Sequence, residues 1–170
     1  MKAFDFNGKK ISLPDSWSEV TVAYYLRDEF TRGDTIGLIS ALAGVEAKEL
    51  ANCDEDLSSQ FKQVFAFLKD DPIEKWINNR TKEVNFLGEK ITLPYKLELE
   101  WFGCKIMAQE QMFKHEHKAL PYCLAIYLGK AGNIPNWWDR VDELAEEVKK
   151  LPIKEMLPYW SFFLPTLLSK

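Results

Sequence analysis

Histidine and cysteine are scarce in this 170-residue chain, with two of the first and three of the second. A histidine relay or a thiolate metal cluster therefore has almost no raw material. His115 and His117 stand at i and i+2, which on a helix points them about 200° apart, too far round to share one metal ion. Cys53, Cys104 and Cys123 are odd in number and widely spaced, which excludes a closed disulfide framework and suits reduced, partly buried thiols. No serine or cysteine sits in a nucleophile elbow, and Cys104 in Phe-Gly-Cys-Lys matches no catalytic signature. Gly129-Lys-Ala-Gly-Asn133 lacks the spacing of a phosphate loop and follows a helical pattern, so it reads as a helix-ending turn. No apolar run reaches the roughly 18 residues of a membrane span. The opening MKAFDFNGKK has no apolar stretch of the secretory kind, so a cytoplasmic location is expected. An excess of positive charge is missing too. With 22 basic and 26 acidic residues the net charge is −4, which disfavours phosphate backbones and anionic lipid as partners. The expectation is a chain with no catalytic residues, no metal and no cofactor.

Apolar and aromatic residues are plentiful. Hydrophobic residues make up 46% of the chain, enough for a core without covalent staples. Aromatics reach 14%, with six Trp and eleven Phe. Rings of this size fill cores and are also enriched at protein interfaces.

Two segments predict β-hairpins. In Phe4-Asp-Phe-Asn-Gly-Lys-Lys-Ile-Ser-Leu-Pro14, apolar residues alternate on both sides of Asn7-Gly8, the preferred pair for a tight type I′ turn. Eighty residues on, Val84-Asn-Phe-Leu-Gly-Glu-Lys-Ile-Thr-Leu-Pro94 repeats the pattern, with six of eleven positions identical. The pair could join as one small four-stranded antiparallel sheet, since a lone hairpin is only marginally stable.

The rest reads as about seven helices, giving an α+β, mainly helical fold. Thr21 is a suitable cap for a helix to about Phe30, Asp34 for one from Thr35 to Ala43, and a short helix runs from Glu46 to Ala51. Leu57, Phe61, Val64, Phe65 and Leu68 form an apolar stripe behind an Asp54 cap, and a further helix starts at Pro72. After the second hairpin, a helix from about Glu100 to Lys118 carries Phe102, Ile106 and Phe113 on one side. Pro121 begins the next, closed by Gly129 and Gly132. Asn136 caps the one after it, whose stripe is Val141, Leu144, Ala145 and Val148, with Glu146 and Lys150 paired on its wet face. Pro152 and Pro158 punctuate an aromatic tail. The 170 residues suit one domain, or two lobes, 1–83 and 84–170, each a hairpin followed by helices.

Leu38 to Leu50 has helix-turn-helix spacing around Gly44, but its second helix offers Lys48 between Glu46 and Glu49, a poor set for reading bases. The candidate contact residues are aromatic: the adjacent Trp137 and Trp138, then Tyr159, Trp160 and Phe163. Neighbours on a helix stand about 100° apart and seldom both bury in a small core, so at least one of Trp137 and Trp138 is expected to face a partner or another lobe.

In order, Ile11-Ser-Leu-Pro-Asp-Ser-Trp-Ser-Glu-Val-Thr21, Ile39-Ser-Ala-Leu-Ala-Gly-Val45, Phe86-Leu-Gly-Glu-Lys-Ile-Thr-Leu-Pro94, Leu120-Pro-Tyr-Cys-Leu-Ala-Ile-Tyr-Leu128 and the close from Leu151-Pro to Phe162-Phe-Leu164 resemble small bacteriophage morphogenesis proteins of the tail assembly chaperone type. The resemblance implies a non-enzymatic protein that binds other phage structural proteins, or a second copy of itself, in the host cytoplasm during assembly or in the virion. It implies no particular site residues. A phage effector that binds a host protein is the competing class, and a DNA-binding regulator the third.

Overall fold

The computed structural model describes residues 1–6, 8–31, 34–43, 45–52, 59–60, 63–64, 66–67, 76, 83–93 and 101–160. The fold is α+β and mainly helical, with two antiparallel two-stranded sheets. By its internal contacts the chain divides into two compact units, Met1–Asp71 and Pro72–Lys170.

In the first unit, β1 (Lys2–Phe6) pairs with β2 (Lys9–Leu13), Phe4 opposite Ile11. Period-2 alternation puts Phe4, Phe6, Ile11 and Leu13 on one buried face. The turn needs a left-handed backbone, and Gly8 supplies it at φ 77°. After a 3-10 turn at Trp17–Glu19, the Thr21 hydroxyl caps α1 (Val22–Tyr25) by accepting the Tyr24 N–H at 3.4 Å. The single helix expected up to Phe30 is broken, with Leu26 as C-cap at ψ 1° and α2 restarting at Asp28–Thr31. Then α3 (Thr35–Ala43) is capped by Asp34, whose carboxylate accepts the Gly37 N–H at 2.8 Å. Leu38 and Ile39 of α3 are buried, and α3 packs on β2. A short α4 (Ala47–Ala51) follows. Of the stripe predicted between Leu57 and Leu68, Val64 is described and is buried; Leu57, Phe61, Phe65, Leu68 and the Asp54 cap lie outside the described residues.

In the second unit, Trp76 is helical, while the rest of the helix predicted from Pro72 lies outside the described residues. The pair β3 (Glu83–Phe86) and β4 (Glu89–Thr92) places Val84 opposite Ile91, which is the Phe4–Ile11 register moved by 80 residues. Leu87 at φ 53° and Gly88 at φ 83° both take the positive φ of a type I′ turn. Among the described residues each hairpin is a two-stranded sheet of its own, where the sequence suggests one four-stranded sheet. Each instead covers its apolar face with a helix, α3 on β2 and, here, the helix Leu120–Ala131 on β4.

Among the described residues, the α-helices that follow β4 in this unit are α5 (Phe102–His115), α6 (Leu120–Ala131), α7 (Val141–Val148) and α8 (Ile153–Trp160). Leu120, Pro121 and Cys123 through Gly129 are all buried, so α6 is apolar nearly all round and lies at the centre, touching α5, α7, α8 and β4. Gly129 falls inside α6; the C-cap is Gly132. The helix predicted from Trp137 starts only at Val141. Asn136 sits in the left-handed region (φ 52°, ψ 32°) without a side-chain cap bond, and Trp137–Asp139 make a 3-10 turn. Val141, Leu144, Ala145 and Val148 bury as the stripe requires. The expected Glu146–Lys150 pair is replaced by i,i+3 pairs, Glu146 with Lys149 at 2.5 Å and Glu147 with Lys150 at 2.6 Å. Pro158 lies within α8 rather than ending it.

Candidate functional site

The second unit carries an apolar cavity of about 420 Å³ lined by Trp101, Gly103, Cys104, Met107, Lys130, Trp137 and Trp138. That is within the range of roughly 300–1,000 Å³ usual for ligand pockets. Three elements build it. The first turn of α5 gives Gly103 and Cys104 one residue apart, with Met107 one turn on from Gly103. The end of α6 gives Lys130, and the 3-10 turn gives both tryptophans. Gly129 makes the third element possible: a Cβ there would stand 2.7 Å from the Trp137 Cβ. Trp137 therefore seats directly on the α6 backbone. Trp138 packs edge-on to it at 5.9 Å and 78°. Trp101 stacks on the buried Tyr127 at 6.2 Å and 28°.

Trp137 is half-buried and Trp138 is 54% exposed. Around α5 the apolar surface continues. Phe102 is 74% and Ile106 42% exposed, one turn apart, while Cys104, Ala108 and Met112 face the core. Phe102, Ile106 and Phe113 do share a side of the helix, and that side faces outward.

Tyr159 must be removed from the contact candidates. Its side chain is fully buried, as are Ile153, Met156 and Leu157 of the same helix, so its ring is core. Trp160 ends α8, with its side chain outside the described residues, and Phe163 lies outside them altogether. Nothing in the sequence marks Trp101, Cys104, Met107 and Lys130 as contact residues. Trp101 reads as core by its hydropathy, and only the fold brings α5 to the Trp137–Trp138 turn.

The chemistry of the lining is sparse. Burial pushes the Cys104 thiol up, against the opposing pull of the Lys130 ammonium. Elsewhere, His115 stacks on Tyr122 at 3.7 Å and 5°, with Lys149 over the same tyrosine ring at 5.6 Å. Burial lowers the His115 pKa, Lys114 and Lys149 lower it further and Asp142 opposes them. His117 is exposed in the 3-10 turn Glu116–Lys118. Among the described residues no group of three His, Cys, Asp or Glu could hold a metal ion, and no helix is long and apolar enough to cross a membrane. On the helix-turn-helix candidate, α4 is five residues long and exposes Lys48 between Glu46 and Glu49.

No family model, curated protein or solved structure matches this chain.

Proposed function

We propose that this chain is a non-enzymatic, protein-binding component of bacteriophage assembly, a tail assembly chaperone or a small virion adaptor, and that it holds its partner through the tryptophan-lined cavity of the second unit. The observation that carries the reading is that cavity, with Trp138 54% exposed at its edge and Phe102 74% exposed on the adjoining helix. A large ring left in water forgoes much of the stabilisation that burying it brings, and Trp anchors in desolvated pockets dominate protein interfaces. Burial holds the Cys104 thiol of the lining towards its protonated, less nucleophilic form. The phage assignment rests on the sequence resemblance.

Affinity capture of the tagged chain from phage-producing cells tests it. The expected catch is a tail or head–tail structural protein, lost when Trp138→Ala is the bait. A host enzyme held through Trp138 would instead make the chain an effector, and a catch indifferent to Trp138 would place the contact elsewhere.

A further inference from the structure

We infer that the cavity takes an aromatic side chain that carries a carboxylate beside it, and that Lys130 is the group that reads the carboxylate. This rests on the cavity being the partner-binding surface proposed above. The apolar half of the claim follows from the walls. Trp101, Trp137 and Trp138 offer ring faces and edges, and Met107 a thioether that adapts to an aromatic guest.

The charged half follows from the single cation. Among the described residues that line the cavity, Lys130 alone is charged at neutral pH, and none of them is a carboxylate. Lys130 is exposed and, among the described residues, has no ion-pair partner, unlike Arg140, Lys149 and Lys150 nearby in the chain, each paired with a glutamate. Its ammonium acts electrostatically on the Cys104 thiol in the lining, so the positive charge is felt at the cavity and is not directed wholly into solvent. Lys130 also lies in the last turn of α6, where a cation suits the helix dipole whatever the cavity holds. The dipole explains a cation at that helix end. It does not explain why the described lining holds a cation and no anion, and an anionic guest meets complementary charge there.

The partner feature that fits is a C-terminal phenylalanine, whose terminal carboxylate stands beside its ring. An exposed ion pair contributes modestly, so the carboxylate is expected to tighten binding about two- to fivefold, with the apolar group supplying the rest. High salt should remove that increment, since exposed charges are screened beyond about 3 Å at 1 M.

The test uses the full chain and two probes of nearly equal shape, N-acetyl-L-phenylalanine and its amide, followed by NMR at the indole N–H signals. The acid is expected to move the Trp101, Trp137 and Trp138 signals and to bind about two- to fivefold tighter than the amide. Lys130→Met, which keeps the aliphatic stem, should make the two probes equal. Equal binding of acid and amide to the parent chain overturns the inference, as does a preference that survives Lys130→Met. Probes that leave all three signals unmoved overturn it as well. If partner capture still depends on Trp138 in those cases, the docking surface stands and only its carboxylate chemistry is wrong. If capture does not depend on Trp138, the surface itself is wrong.

Discussion

Replacing Gly129 by alanine sets two opposed terms against each other at one atom. Gly129 is buried within α6, and alanine is the better helix former by about 1 kcal/mol. Propensity alone would therefore make Gly129→Ala stabilising. The new Cβ, however, would lie 2.7 Å from the Trp137 Cβ, 3.1 Å from its Cγ and 3.3 Å from a Leu144 methyl. Relieving the first contact requires the Trp137–Asp139 turn to move by about 1 Å, since carbon atoms pack at roughly 3.5–4.0 Å. Overpacking of this kind costs about 1–3 kcal/mol, so the expected net effect is a loss of up to about 2 kcal/mol. Because the turn carries Trp137 and Trp138, the cavity should deform with it. Gly103→Ala is the control, as its Cβ would meet nothing within 4 Å on α5. It should be neutral or stabilising by up to about 1 kcal/mol. Urea denaturation followed by tryptophan fluorescence measures both, and near-ultraviolet circular dichroism reports the packing of the rings. A Gly129→Ala chain as stable as the parent, with an unchanged aromatic spectrum, would refute the reasoning.

Three further outcomes are expected. Asp34→Ala removes the carboxylate that accepts the Gly37 N–H at 2.8 Å, and should cost the first unit about 1 kcal/mol in thermal or chemical unfolding, with Asp34→Asn largely restoring it. Cys123 is fully buried, bonds the Ala108 carbonyl at 3.5 Å and has its pKa pushed up to about 12, so iodoacetamide at pH 9 should leave it unlabelled in mass spectrometry until the second unit unfolds. The lowered His115 pKa means that the unfolded chain binds the extra proton first as pH falls; stability should therefore drop on acidification below about 6.5, and urea midpoints should lose that part of the pH dependence in His115→Gln.

The hairpins were legible because each is specified locally. Alternation fixes which residues face inward, and a two-residue turn then sets the pairing, as in Phe4–Ile11 and Val84–Ile91. The α7 stripe was legible for the same reason, its apolar residues falling on one face only. On α5 both faces carry apolar residues. The larger ones, Phe102 and Ile106, point outward and the smaller Cys104 and Ala108 point inward, so hydropathy favours the wrong side. The core side is chosen by what α6 can pack against, a fact about pairs of helices and not about α5. The start of α7 is not legible because Asn136 looks like a cap, and its left-handed φ of 52° is not visible in the residue name. The burial of Tyr159 is not legible because Pro158 looks like a break, while α8 runs through it and turns the ring inward. The cavity was half legible. The Trp137–Trp138 pair announced itself, but Cys104, Met107 and Lys130 join it only once α5 and α6 are folded together.

The most direct test of the tryptophan-lined surface is the dissociation constant of the captured partner for purified Trp138→Ala, beside Ile36→Ala as a control that truncates a 47% exposed side chain in the first unit. Truncating a Trp anchor costs at least about 2 kcal/mol, so Trp138→Ala should weaken binding by roughly thirtyfold or more, with unfolding midpoints close to the parent's and Ile36→Ala binding as the parent does. A Trp138→Ala chain that binds the partner as tightly as the parent would contradict the account.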